Sequence, residues 1–545
     1  MVGTGHPGKI RLARTCISLN GSIEVVSTPP RKRRSMNPHA RTLQESPPEP
    51  YDPQYFADRQ RELRWIGRKV EEGLSGYAIT QPVVHMWGIR GVGKSWLLRH
   101  LRAQHGFAPG KGVKKEGTLS TLVDFAGSPL SLREPPTVAD LLEKLVQEVE
   151  EQLGDRTEAA AGELAAFREE VVAVRAEERR EASAVAERFV SFINRLSHVF
   201  VPLLLFDAAE TLDPDDFFWL ESRLIEPIAR TDRAIFVVAG RREIPRWREF
   251  GARQRLSVWE LGAFPRGGTL EQLEMRGRGY LGDVVHSLSF GHPYASQVVG
   301  QALDQIAGKR PAGEDFEEQH RAELAMVLEQ VERELLREVR PESHKDILRT
   351  LSVLRKFNIE SARFVLSGVL DPEYGKRSDA YYLRLYEELE DSNLVWWSTD
   401  HRGYVLDTCL RRIIDLRLQK GAPERYVQRH RRALELYEDW IGKNPLDRGS
   451  FLLEALYHLV STLMGKPAEE VQRQVKRYLG RFLTSGNFTV DGADAFLQLL
   501  VRDLELQDHG RVMPKPVYEQ VVQVVRSFRD KIAGVEPAEG DSDEH

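Results

Sequence analysis

Short apolar runs alternate with stretches of helical period through the first half of the chain. Val83-Val84-His85-Met86-Trp87 follows Pro82 and precedes a group of glycines. The run is too short for a buried helix, so it predicts a buried strand. Residues 121–125, 201–206 and 234–239 predict three more. Between them the period changes. Residues 60–66 read as a helix, as do Trp96, Leu97, Leu98 and Leu101 after the glycines. Thr137 can cap a helix whose face holds Leu141, Leu142, Leu145 and Val149. Residues 157–197, rich in Ala, Glu and Arg, predict one long or broken helix. Strands alternating with helices imply a parallel sheet covered on both faces. After about residue 268 the strand signal fades and helices dominate. The exception is hairpin-like: Leu394 to Trp397, a turn over 400–403, then Tyr404 to Leu406. No repeat of fixed period runs through the chain.

Composition narrows the class. The 545 residues suffice for three or four domains at roughly 150 residues each. With 41% hydrophobic and 29% charged residues, the chain can bury sizeable cores. Two cysteines, Cys16 and Cys409, exclude a disulfide framework and the usual zinc-cluster spacings, and fit a reducing cytoplasm. Apolar runs such as 199–206 fall far short of the ~18 residues of a membrane span. No uninterrupted apolar stretch follows the early charges as a secretory signal requires. A net charge of −5 does not suit the whole chain to polyanions. That charge is unevenly spread. Residues 1–50 carry eight Lys and Arg against three Glu, including the run Arg31-Lys32-Arg33-Arg34, and are rich in proline. They read as a disordered basic tail, and residues 533–545 as an acidic one.

The chemistry centres on Gly88-Ile89-Arg90-Gly91-Val92-Gly93-Lys94-Ser95, a full match to G-x-x-x-x-G-K-[ST] between a predicted strand and helix. Gly91 and Gly93 let backbone N–H groups turn inward onto phosphate oxygens. The following helix aims its positive end at the same place. Lys94 adds charge at the β- and γ-phosphates, and the Ser95 hydroxyl suits Mg²⁺. Leu203-Leu204-Leu205-Phe206-Asp207 is an apolar strand ending in a carboxylate, the form of a Walker B segment, with Asp207 beside Ser95 as the second Mg²⁺ group. Many ATPases place a water-activating acid directly after that aspartate. Here Ala208 and Ala209 intervene, so either Glu210 takes the role or hydrolysis is slow. Arg241, after the next strand, is placed to meet a γ-phosphate; a surface salt bridge is the alternative.

These residues together resemble the STAND ATPases, the signal-transduction branch of AAA+-like P-loop proteins that includes NB-ARC and NACHT modules. Phe56-Ala57-Asp58-Arg59-Gln60-Arg61-Glu62-Leu63 is similar to their F-x-x-R-x-x-E-L leading segment. Residues 87–95, 203–210 and 239–241 resemble Walker A, Walker B and sensor segments. Leu261-Gly262-Ala263-Phe264 resembles the strand-to-lid connection, and Gly291-His292-Pro293 the G-x-P motif of the lid. The resemblance implies nucleotide contacts at Gly88, Gly91, Val92, Gly93, Lys94, Ser95, Trp96, Phe56, Arg59 and Pro293. It also implies a winged helix after the lid, with residues 344–365 as helix–turn–helix, 381–391 as the next helix and 394–406 as the wing. At the position of the ADP-sensing histidine of the M-H-D segment stands Leu406, followed by Asp407.

The expected architecture is an α/β P-loop core over 51–265, a helical lid over 266–340, a winged helix over 341–422 and an all-α region over 423–532. The resemblance implies an ATP-binding switch in signalling or defence, with ATP/ADP and Mg²⁺ as cofactors, weak ATPase activity, self-association and a separate protein effector. The alternative is a DNA-binding regulator of the origin-recognition or transcription kind. Its groove-entering helix would hold Asp379, Glu387, Glu388, Glu390 and Asp391 against Arg384, which phosphate repels. The cluster Arg425, Arg429, Arg431 and Arg432 favours DNA, as the lesser reading.

Overall fold

The computed structural model describes residues 50–534 apart from 107, 110, 112–113, 127–137, 154–178, 242–246, 308–315, 400–401, 485 and 509–511. The basic tail, most of the acidic end and the larger part of the 157–197 helix lie outside the described residues.

A six-stranded sheet has the order β2-β3-β4-β5-β1-β6. Its strands are β1 (Val83–Trp87), β2 (Ala108–Pro109), β3 (Gly117–Asp124), β4 (Phe200–Asp207), β5 (Ile235–Gly240) and β6 (Leu256–Glu260). All pair in parallel except the two-residue β2. Alternation explains why the apolar runs are unbroken. On β4, Val201, Leu203 and Leu205 face one core while Phe200, Leu204 and Phe206 face the other. On β5, Ile235, Val237 and Ala239 are divided from Phe236 and Val238 in the same way. Helices α1 (Gln60–Leu74) and α2 (Lys94–His105) cover the first face. The second is covered by α3 (Val138–Leu153), α4 (Arg179–Leu196) and α5 (Pro214–Leu220). His85 is fully buried in β1, edge-on to Trp247. The sequence pattern does not reveal β6 or β2. β6 is a partly exposed edge strand, so its apolar run is broken.

Helices α6 (Arg266–Glu274), α7 (Gly282–Ser289), α8 (Pro293–Ala307) and α9 (Arg321–Leu335) follow β6. Then come α10 (Glu342–Leu351), α11 (Ile359–Val369), α12 (Asp379–Glu390) and the hairpin β7 (Val395–Ser398) with β8 (Gly403–Leu406), the element order of a winged helix. α13 (Thr408–Gly421) runs back along α9. Buried Glu332 of α9 is held by Arg349 of α10 at 2.7 Å and Arg417 of α13 at 2.5 Å, so lid and winged helix share one seam. The remaining helices, α14 (Pro423–Lys443), α15 (Arg448–Thr462), α16 (Ala468–Phe482), α17 (Val490–Arg502) and α18 (Lys515–Ile532), complete an all-α end.

Candidate nucleotide-binding site

β1 lies within the parallel sheet and delivers Trp87 directly into the glycine loop. Gly91 and Gly93 both have positive φ, 81° and 97°, and Gly93 caps the start of α2. Lys94 folds back over the loop. Its Nζ donates to Gly88 O at 2.6 Å and to Ile89 O at 3.0 Å. Burial lowers this ammonium to about 8, against the opposing pull of Glu210 and Asp207.

Asp207 ends β4, one strand away from β1 across β5. Its carboxylate is buried, accepts from Ala208 N at 2.9 Å and is bonded to the Ser95 hydroxyl. Burial raises its affinity for a proton; the Ser95 bond counters that. A helix-terminal hydroxyl beside a strand-terminal carboxylate is a donor set suited to Mg²⁺. Ala208 is left-handed, with φ 56°, an uncommon conformation for a residue with a side chain. The turn it makes leads into a 3₁₀ segment, Ala209–Thr211, which brings Glu210 back to the site. Glu210 Oε1 lies 2.9 Å from Arg241 Nε, while its Oε2 is buried and accepts no hydrogen bond among the described residues.

The leading segment is held by strain. Asp58 and Arg59 are consecutive left-handed residues, with φ 58° and 64°. Arg59 is buried and donates to Val92 O and Gly262 O, both at 2.7 Å, with its guanidinium over the Phe264 ring. It fastens loop to lid connection rather than standing free. Phe56 stacks on His100 of α2 at 3.8 Å. Trp96 sits among Tyr51 and Arg276.

The lid touches the loop at the G-x-P motif. Gly291 has φ 74°, and a Cβ there would run into the Phe264 carbonyl oxygen, so glycine alone fits. The contact itself is made by His292, the residue the motif leaves open. Its Nε2 donates to Arg90 O at 2.9 Å. Burial holds the imidazole down at about 4, hence neutral. Tyr294 N donates to Gly91 O at 3.2 Å. Pro293 begins α8, and its carbonyl accepts from Gln272.

The wing reaches the same place. Trp396 of β7 lies edge-on to Trp87 at 5.9 Å. Asp407 caps α13 and shares with Gly88, Val92, Gly262, His292 and Trp396 a cavity of only about 20 Å³. Burial pushes the Asp407 carboxyl up to about 6. Of the basic cluster, Arg429 donates to Arg349 O, and Arg432 lies over Phe364 and pairs with Glu435. Arg425 and Arg431 are exposed. Trp397 is half exposed on the wing, edge-on to Tyr404.

The structure brings together the motif residues Lys94, Ser95, Asp207, Glu210 and Arg241. Sequence reasoning missed Arg90, which pairs with Glu334 at 2.7 Å, and Glu338, which pairs with both Arg90 and Arg241. Arg90 occupies a free position of the phosphate-loop pattern, and the two glutamates lie in a helical stretch with no motif.

No protein-family model matches the chain, and no curated protein matches it. Among solved structures, it is similar to Cdc6p from Pyrobaculum aerophilum, at 14% identity and TM-score 0.32 over 67% of this chain and 94% of that one. It is similar to the RuvB Holliday junction branch migration motor of Thermotoga maritima, at 11% and 0.30 over 65% and 93%. A third is the Drosophila ORC structure bound to DNA, at 12% and 0.31 over 72% and 96%. Likenesses this distant carry no argument about activity. The P-loop core rests on the chain's own strand order and loop.

Proposed function

We propose that this chain is an ATP-binding molecular switch of the STAND kind. One observation carries the reading: the lid and the wing both close on the phosphate loop, through His292 on Arg90 O and Trp396 on Trp87. Lid and wing thus bear directly on the loop that would hold the phosphates, which gives nucleotide binding a route to bias their seating, the coupling a switch requires.

The loop glycines and Lys94 hold the phosphates, and Ser95 and Asp207 hold Mg²⁺. The metal supplies charge neutralisation at the phosphates when bound. Glu210, with one oxygen engaged by Arg241 and the other buried and unpaired among the described residues, is the candidate to orient water. Because that same arginine engages it, hydrolysis is proposed to be slow. Release of the winged helix would expose surfaces for self-association and for a protein effector. DNA binding is the weaker reading. The exposed side of α12 presents Glu387, Glu388 and Asp391 around Arg384, and two of the four clustered arginines of α14 are spent on internal contacts.

Lys94→Ala tests the premise. The folded variant should lose labelled-ATP binding by more than about a hundredfold, and undiminished binding refutes the site. Sizing the wild-type chain with ADP and with a non-hydrolysable ATP analogue tests the switch: a larger species with the analogue alone supports it, and identical elution contradicts it.

A further inference from the structure

Beside the phosphate loop lies a second constellation that the ATP motifs do not include. Arg90, inside the loop, reaches the joint between lid and winged helix. There it pairs with Glu334 at 2.7 Å and with Glu338. Arg241, arriving from β5, donates through Nη2 to Glu338 Oε1 at 2.9 Å while its Nε holds Glu210. One carboxylate is thus gripped by two guanidiniums from two different core elements. That is how an anionic phosphate oxygen is recognised. Both guanidiniums are near enough to Lys94 for their charge to act on its ammonium. Leu335, Val339, Asn393 and Leu394 line a small space beside the pair, so Glu338 occupies the position in which an anion would meet both guanidiniums. Asn393, left-handed at φ 58°, lines that same space from the wing's lead-in, and its Oδ1 is buried with no hydrogen bond among the described residues.

We propose that Arg90 and Arg241 together form the γ-phosphate subsite, and that Glu338 is its resident competitor: a lid carboxylate that a triphosphate displaces and a diphosphate does not reach. This rests on the ATP reading above. It adds Arg90 as a specificity-determining residue and assigns the discrimination between ATP and ADP to a side chain of the lid joint. The charge balance supports it. With Glu210, Glu334 and Glu338 in place, the two arginines are more than neutralised, and a γ-phosphate must replace part of that pairing. Once it does, the 336–341 joint loses its hold on the core, and the winged helix that follows is released with it.

Nucleotide titration of the full chain with ADP and with a non-hydrolysable ATP analogue decides the matter. Glu338→Gln should tighten the analogue about tenfold and leave ADP within about twofold. Glu334→Gln, which frees only Arg90, should give a smaller gain for the analogue. Adding Arg90→Ala to Glu338→Gln should cancel the gain. The proposal is overturned if Glu338→Gln tightens both nucleotides equally or neither, or if the gain survives loss of Arg90. If neither nucleotide binds to wild type or variant, the ATP reading itself fails, a different result from ADP binding with no discrimination. Glu338 is half exposed, and unchanged thermal midpoints will show that the variants are folded.

Discussion

Two clusters of arginines and carboxylates join the parts of this chain, built from the same groups under different burial. At the mouth of the phosphate loop, Arg241 and Glu338 have side chains 25% and 50% exposed. At the far seam, Arg411 of α13 pairs with Glu505 at 2% and 18%. Around it Arg355 holds Glu454 and Asp503, and Arg412 holds Asp508. Water can take the place of either partner at the mouth, so that pairing is weak and exchangeable. At the seam a lone partner would be stranded out of water, so separation costs far more than the pair gains. Identical chemistry thus gives a latch in one place and a rivet in the other.

The sharpest way to break that comparison is Arg411→Met. It should destabilise the protein by about 3–5 kcal/mol, because Glu505 loses the partner it is hydrogen-bonded to out of water. Adding Glu505→Leu should recover most of the loss. Glu338→Gln should change stability by under about 1 kcal/mol. Equal losses in thermal unfolding would erase the distinction between rivet and latch.

Acid titration comes next. Burial favours the protonated Glu505 carboxyl, but Arg411 and Arg355 outweigh it and hold the group at about 2, against 4.5 unfolded. A depressed carboxyl contributes stability that is full above pH 4.5 and is lost as pH falls towards about 2, on the order of 3 kcal/mol at most. Asp407, at the mouth, has the opposite sign. Raised by burial from 3.8 to about 6, it binds more protons folded than unfolded, so its contribution declines as pH rises through that window. Denaturant unfolding from pH 2 to 7 should show seam stability growing below pH 4.5 and a counter-slope between about 4 and 6 that Asp407→Asn removes. A monotonic profile unchanged by Asp407→Asn contradicts the assignment.

A smaller effect is expected from Trp396→Ala. The ring is partly exposed, and its loss should cost about 1–2 kcal/mol while speeding nucleotide association. Stopped-flow binding no faster than wild type would show that the wing does not gate the loop.

The legible parts of the fold were those where burial is complete. β1, β4 and β5 are apolar on both faces, so an unbroken run marks them without help from period. β6 sits at an edge with mixed exposure, and β2 is too short to carry a pattern. The site was legible where phosphate chemistry constrains residue type: glycines, Lys94, Ser95, Asp207. It was silent where a contact uses backbone or free positions. His292 acts on a carbonyl, and Arg90 fills a slot the motif leaves unspecified. Glu338 meets Arg241 across 97 residues, a pairing no local pattern encodes.

The seam has a consequence for synthesis. Arg355 waits 148 residues for Asp503, and Arg411 waits 94 for Glu505. Until the ribosome has delivered the 503–508 segment, Arg355, Arg411 and Arg412 lack the carboxylates of Asp503, Glu505 and Asp508 that let them be buried. Closure of this seam against the C-terminal helices therefore waits for the last stage of translation, after the α/β core has emerged.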